Sequence, residues 1–340
     1  MQANYRTGIF AAVGMFVLIL DSKTAVSAAQ DAIGVCIRSV IPSLLPFFVL
    51  SILLTDALKG SDTALLRPLG RLCRMSPGSE SILILGLLGG YPAGAQCISQ
   101  SYQNGSISRS EAQRLLGFCS NAGPAFLFGI CSSAFASGKS VWYLWFIHIL
   151  SAILTGVLLP GGYHDRIQRA SSTSETTVPD ALKRSIVILS GICGWIMLFR
   201  IVLEFCQRWF LWLLPQTAQT AVAGILELSN GCLELTSVAP EGLRFIVCSG
   251  ILAFGGICVC MQTQSVTGAL GMGLYFPGKI VQAAISVILS LVCQFLLFDG
   301  SDRLPISVTA IMLSVCCIGS ISLLLQNRKN FSRFSAGVGV

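Results

Sequence analysis

Charge is scarce in this chain. Of its 340 residues, 11% are Asp, Glu, Lys or Arg, against roughly 25% in a soluble globular domain. Hydrophobic residues make up 54%, and mean hydropathy is +0.76. That balance excludes an ordinary soluble domain and leaves an all-α polytopic membrane protein. Histidine is rarer still: His148 and His164 are the only two, far from any cluster of cysteines. No CxxC, HExxH or GxSxG motif and no phosphate loop occurs, so the chain lacks the spacing for a zinc site, a serine hydrolase or a nucleotide site. The expectation is a protein that is not an enzyme and has no metal and no cofactor.

Cysteine is not scarce. The fourteen cysteines lie mostly inside apolar runs, as at Cys193, Cys248, Cys258, Cys293, Cys316 and Cys317, where they read as small hydrophobes. The net charge of +7 does not point to nucleic acid. Its lysines and arginines sit in short loops between apolar runs, as the positive-inside rule expects, so the partner they imply is a lipid bilayer.

Taken in order, residues 1–38 hold a first apolar run (Gly8–Leu20) and an amphipathic stretch suited to the membrane interface. Ala25-Val26-Ser27-Ala28 is also compatible with a signal-peptidase site. Residues 39–58 are a span with Pro42 and Pro46 near its start, followed by a basic loop with Lys59, Arg67, Arg71 and Arg74. The run 81–107 is interrupted by Gly89-Gly90-Tyr91-Pro92-Ala93-Gly94. It reads either as one kinked span or as a helical hairpin that enters and leaves on the same side. Ser108-Arg109-Ser110-Glu111 is a capping box. It opens a helix over 109–134 that Pro124 should kink or unwind near Ser120–Gly123.

A span at 140–160 and a polar, basic linker at 161–184 complete the first half. The second half, 185–299, runs through a span at 185–205, a short segment 217–238 interrupted at Ser229-Asn230-Gly231, a span at 243–264 and another at 277–299. The last section, 300–340, holds a final span and the basic residues Arg328, Lys329 and Arg333.

The loop charges decide between the two readings. With about eight full crossings, the basic regions 59–79, 161–184 and 328–333 all fall on the cytoplasmic side only if 81–107 and 217–238 are re-entrant. Both termini are then cytoplasmic. The two halves, 39–160 and 185–299, become matching modules in opposite orientation, the inverted-repeat plan of secondary transporters.

Polar residues at the breaks are the candidate site. Tyr91 and Gln96 lie at the first break, Asn121 beside Gly123-Pro124, and Glu227 and Asn230 at the second. Gly90, Pro92, Gly94, Gly123, Pro124 and Gly231 are the residues expected to break the backbone. An intramembrane carboxylate or amide is costly unless it serves a site. The alternatives are close helix packing for the glycines, satisfaction of carbonyls freed by Pro124 for Asn121, and a headgroup-level position for Glu227 and Glu234. Gln262 and Gln264 read as interfacial. The ligand class is a small polar solute with a coupling ion.

Several stretches resemble the YlbJ-type sporulation integral membrane proteins. They are Gly90-Tyr91-Pro92-Ala93-Gly94-Ala95, Asn104-Gly105-Ser106-Ile107, Glu111-Ala112-Gln113-Arg114-Leu115-Leu116 and Cys119-Ser120-Asn121-Ala122-Gly123-Pro124. Pro42-Ser43-Leu44-Leu45-Pro46-Phe47-Phe48 and Gly224-Ile225-Leu226-Glu227-Leu228-Ser229-Asn230-Gly231 carry the same resemblance, which spans roughly 40–280. That family is related to proteins with a nucleoside recognition, or Gate, domain. The resemblance implies a multi-pass membrane protein needed in spore formation, with a transporter-like architecture, whose partners include other sporulation membrane proteins or further copies of itself. It names no substrate. One departure is Gln96, where the family pattern often carries a lysine. A non-transporting scaffold for spore envelope or cortex assembly is the rival function.

Overall fold

The computed structural model describes residues 2–58, 64–161, 176–316 and 319. Most of the basic linker and the basic tail lie outside them. Among the described residues the regular structure is helical throughout. In chain order the helices are α1 (Gln2–Leu20), α2 (Ser22–Val35), α3 (Ile41–Leu58), α4 (Arg67–Leu72), α5 (Glu80–Leu88), α6 (Ala93–Gln103), α7 (Arg109–Leu115), α8 (Pro124–Gly129), α9 (Gly138–Leu158), α10 (Val178–Trp209), α11 (Gln216–Leu226), α12 (Leu228–Glu234), α13 (Glu241–Phe254), α14 (Gly256–Thr267) and α15 (Tyr275–Leu297). Helix resumes at 306 and continues to 316.

Five stretches are long and apolar enough to cross a bilayer: Ser22–Leu54, Gly138–Leu158, Val178–Trp209, Glu241–Leu270 and Tyr275–Leu297. Gly8–Leu20 is a shorter apolar helix. Large apolar side chains such as Leu50, Phe146, Val187, Leu198, Val292 and Leu296 face outward, as expected where lipid tails are the solvent.

Three sequence expectations need adjustment. The amphipathic stretch is not a separate interfacial segment, because helix continues from Ser22 to Leu58 through a π turn at Cys36–Val40. Its small residues Ala25, Ala28 and Ala32 are buried, which lets α2 lie close along α10. The helix expected over 109–134 is not one kinked rod. It stops at Leu115 and restarts at Pro124, so the whole segment between them is irregular. Proline at the first turn of α8 forgoes only an amide that would have no helical partner there. The capping box is half formed. Ser108 Oγ accepts the Glu111 N–H at 3.2 Å, but the Glu111 carboxylate turns away to accept the Ser76 N–H at 2.7 Å and the hydroxyls of Ser76 and Ser79.

Glycine lets the interrupted elements press together. A Cβ on Gly86 or Gly94 would collide with the Cys119 carbonyl, and Gly231 lies against the Gly224 backbone. Gly117 meets Gly278 in the same way, laying the irregular segment 116–123 directly on α15. Gly90 at φ 72° and the pair Gly255 and Gly256 at φ 83° and 85° hold left-handed conformations that cost other residues energy. They end α5 and divide α13 from α14. The main buried core joins both halves and includes Tyr91, Ala122, Leu228 and Val259.

Candidate functional site

The breaks converge. A Cβ on Gly90 would lie 3.0 Å from the Gly123 nitrogen, and one on Gly255 would lie 2.8 Å from the Tyr91 hydroxyl. The turn between α5 and α6, the irregular segment before α8 and the junction of α13 with α14 therefore meet at one place. A cavity of about 50 Å³ lies there, lined by Gly90, Tyr91, Gly123, Glu227, Ser229 and Gln262 among others.

Asn121 is wholly buried. Its Nδ2 donates to the Phe118 carbonyl at 2.7 Å, which secures one carbonyl of the unwound segment. Its Oδ1 accepts from Lys279 Nζ at 3.2 Å and from Gln282 Nε2 at 2.8 Å. Lys279 Nζ also donates to Gln282 Oε1 at 2.8 Å, closing a three-residue ring. The ammonium sits 5.2 Å from the centre of the Tyr91 ring, a cation–π arrangement. No carboxylate pairs with it among the described ion pairs. His148 of α9 is buried as well.

Glu227 closes the gap between α11 and α12 in extended conformation. Its carboxylate accepts the backbone N–H groups of Ser229 at 3.0 Å and Asn230 at 2.8 Å. A carboxylate at a helix start satisfies amides that have no helical partner. Glu227 is 3% exposed, whereas Glu234 is half-buried and paired with Arg200 at 3.4 Å. Asn230 is buried, and its backbone N–H serves Glu227. Gln262, read from sequence as interfacial, is instead buried, donates to Cys258 Sγ at 3.2 Å and lines the cavity. Gln264 is exposed.

Several buried polar atoms have no hydrogen-bond partner among the described residues. They include the Tyr91 hydroxyl, Ser120 Oγ, the Asn230 amide nitrogen and both ring nitrogens of His148. Such atoms cost about 1–3 kcal/mol each when left unsatisfied, and the Tyr91 hydroxyl belongs to a side chain that lines the cavity. Chemically the arrangement offers one ammonium, hydroxyl and amide donors, and one carboxylate, all shielded from bulk water.

Gln96 is not part of this centre. It lines a separate, more open cavity of about 620 Å³ with Ser51, Gln100, Gln103, Lys183 and Arg184. Gly94, Gly123 and Gly231 serve close backbone approach, and Pro92 and Pro124 flank helix starts. Sequence reasoning missed Lys279, Gln282 and His148. The signal for Lys279 was present: a lone lysine inside the apolar run 277–299 is a functional-site hypothesis by default.

No family profile matches the chain, and no solved structure matches it. The sequence is similar to the sporulation integral membrane protein YlbJ of Bacillus subtilis (strain 168), 24% identical in an alignment that covers 80% of this chain and 78% of the relative. The similarity thus runs through most of both chains.

Proposed function

We propose that this chain serves in spore formation as a transporter-like membrane protein that moves a small polar solute by alternating access. The observation that carries the reading is the buried ring of Lys279, Asn121 and Gln282 where the interrupted elements of the two halves meet. Discontinuous helices around a buried polar site are the usual setting for substrate and coupling-ion binding. Tyr91, Asn121, Glu227, Asn230 and Lys279 are the contributors. The unpaired ammonium favours a solute with an anionic or strongly polar group, nucleoside-like compounds included. The 620 Å³ cavity with Gln96, Lys183 and Arg184 is a vestibule on the way in.

The topology belongs to the same proposal: about eight crossings and two re-entrant hairpins in an inverted repeat. Contacts between turns support it, because each joins segments that this topology puts on one side. On the cytoplasmic side Arg109 donates to the Ala269 carbonyl at 3.3 Å, Gln113 to Leu270 at 2.7 Å and the Thr176 N–H to Asp56 at 2.6 Å. On the outer side Arg208 pairs with Asp21 at 2.8 Å, and Arg244 donates to the Ala134 carbonyl at 2.8 Å. Every described cysteine is buried or half-buried, so a polar, impermeant maleimide meets little background. Intact cells carrying Thr236→Cys should label, and those carrying Ala269→Cys should label only after lysis. Labelling of both in intact cells would contradict the topology.

A scaffold without transport is favoured by one observation, the 50 Å³ size of the central cavity, room for only a few waters. Tyr91→Phe and Glu227→Gln separate the two readings. The first removes only a hydroxyl without a partner, and the second keeps a cap oxygen. Both should leave protein levels unchanged and sharply lower spore yield. Normal yield from both variants would favour the scaffold.

A further inference from the structure

The sequence offers no metal-ligand spacing, yet the fold gathers three thiols. Cys131 opens the short turn after α8, Cys232 lies in α12 and Cys248 in α13. Their sulfurs all lie within 4.8 Å of one another, and each residue is at most 1% exposed. One comes from the first half of the chain and two from the second.

We propose that Cys131, Cys232 and Cys248 form a three-sulfur site for a single Cu(I) ion. An all-thiolate set selects soft ions, chiefly Cu(I) and Zn(II). Structural zinc takes four protein ligands, and zinc with three keeps a water in the fourth place. No fourth cysteine, histidine or carboxylate joins this group among the described residues, and all three side chains are shielded from solvent. A monovalent ion satisfied by three sulfurs fits both facts. Each thiol that ligates gives up its proton as the ion enters, and no electron changes hands.

The resulting negative charge has a counterweight at hand. Arg244 lies one turn before Cys248 on α13, hence on the same face. Its guanidinium donates to the carbonyls of Ala134, Val238 and Thr236 at 2.8, 3.0 and 3.3 Å. It thus spans the turn that begins at Cys131 and the turn that follows α12. Ser133, Thr236 and Ser237 on those turns are exposed, so the trio lies within a few residues of the surface along the chain.

The test uses the purified full-length chain in detergent under reducing, anaerobic conditions, titrated with Cu(I) against bathocuproine disulfonate. Because the chain has fourteen cysteines and only three are in the trio, the reading is a difference. The wild type should hold one more Cu(I) per chain than Cys131→Ala/Cys232→Ala/Cys248→Ala, and Cys36→Ala/Cys193→Ala should match the wild type. A second measurement needs no variant. Cu(I) should protect Cys131, Cys232 and Cys248 together from N-ethylmaleimide in unfolding-pulse mass spectrometry. Equal copper retention by the triple variant and wild type, absence of joint protection, or preferential uptake of Zn(II) would overturn the proposal.

Discussion

Lys279→Met is expected to abolish function with only a small net change in stability. It removes the desolvation cost of a buried charge, but it leaves Gln282 Oε1 without its donor, which costs about 1–3 kcal/mol. Lys279 is wholly buried, and its partners are two amide oxygens rather than a carboxylate. Asn121→Ala should instead be destabilising. It strips one acceptor from the ammonium and one donor from the Phe118 carbonyl, and should cost about 1–3 kcal/mol for each polar group left unpaired. The double variant should regain part of that loss, because the cation that needed Asn121 is gone. Thermal unfolding in detergent measures the cycle, and spore counts with a metabolite comparison measure function. Full spore yield from Lys279→Met at wild-type protein level would remove the ammonium from the site.

The second large effect is steric. Gly86→Ala and Gly231→Ala should each destabilise by about 3 kcal/mol, the upper end for overpacking, because the new methyl group would meet backbone rather than a side chain able to turn aside. At Gly86 the obstacle is the Cys119 carbonyl, and at Gly231 it is the Gly224 backbone. Gly34→Ala is the control. Nothing lies within 4 Å of its added Cβ, and helix continues on both sides of it, through α2, the π turn and α3, so it should gain roughly 0.5–1 kcal/mol. Unfolding midpoints of the three variants give the comparison. Equal midpoints would show that these backbones do not touch as described.

Much of the helical layout was legible in residue order, since a long apolar run needs only its own composition to be recognised. The breaks were legible too, as Gly-Gly-Tyr-Pro and Asn-Ala-Gly-Pro announce themselves by their local chemistry. Their extent was harder. Pro124 alone explains a kink, but the loss of helix from 116 to 123 also depends on Gly117 docking against Gly278, a contact across more than 150 residues. Asn121 and Glu227 were found because polar residues stand out in apolar runs. Lys279 was passed over because the run around it suggested an ordinary span, and its partner Asn121 lies in the other half. Gln96 shows the converse: it sits near the break in sequence, but the helical turn of α6 points it to the separate cavity. The cysteine trio could not be read from spacing at all, since three distant segments supply it.

Arg244 also has a mechanical consequence. Two of its three carbonyl partners, Val238 and Thr236, lie in its own half; only Ala134 lies in the other, where Glu241 adds the Ala136 amide at 3.3 Å. The Arg109 seam joins the halves by three bonds, from Arg109 to the Ala269 carbonyl, from Gln113 to the Leu270 carbonyl and from the Leu274 amide to the Gln113 carbonyl. Both seams are therefore latched, and the rocking proposed above would have to release one while the other holds.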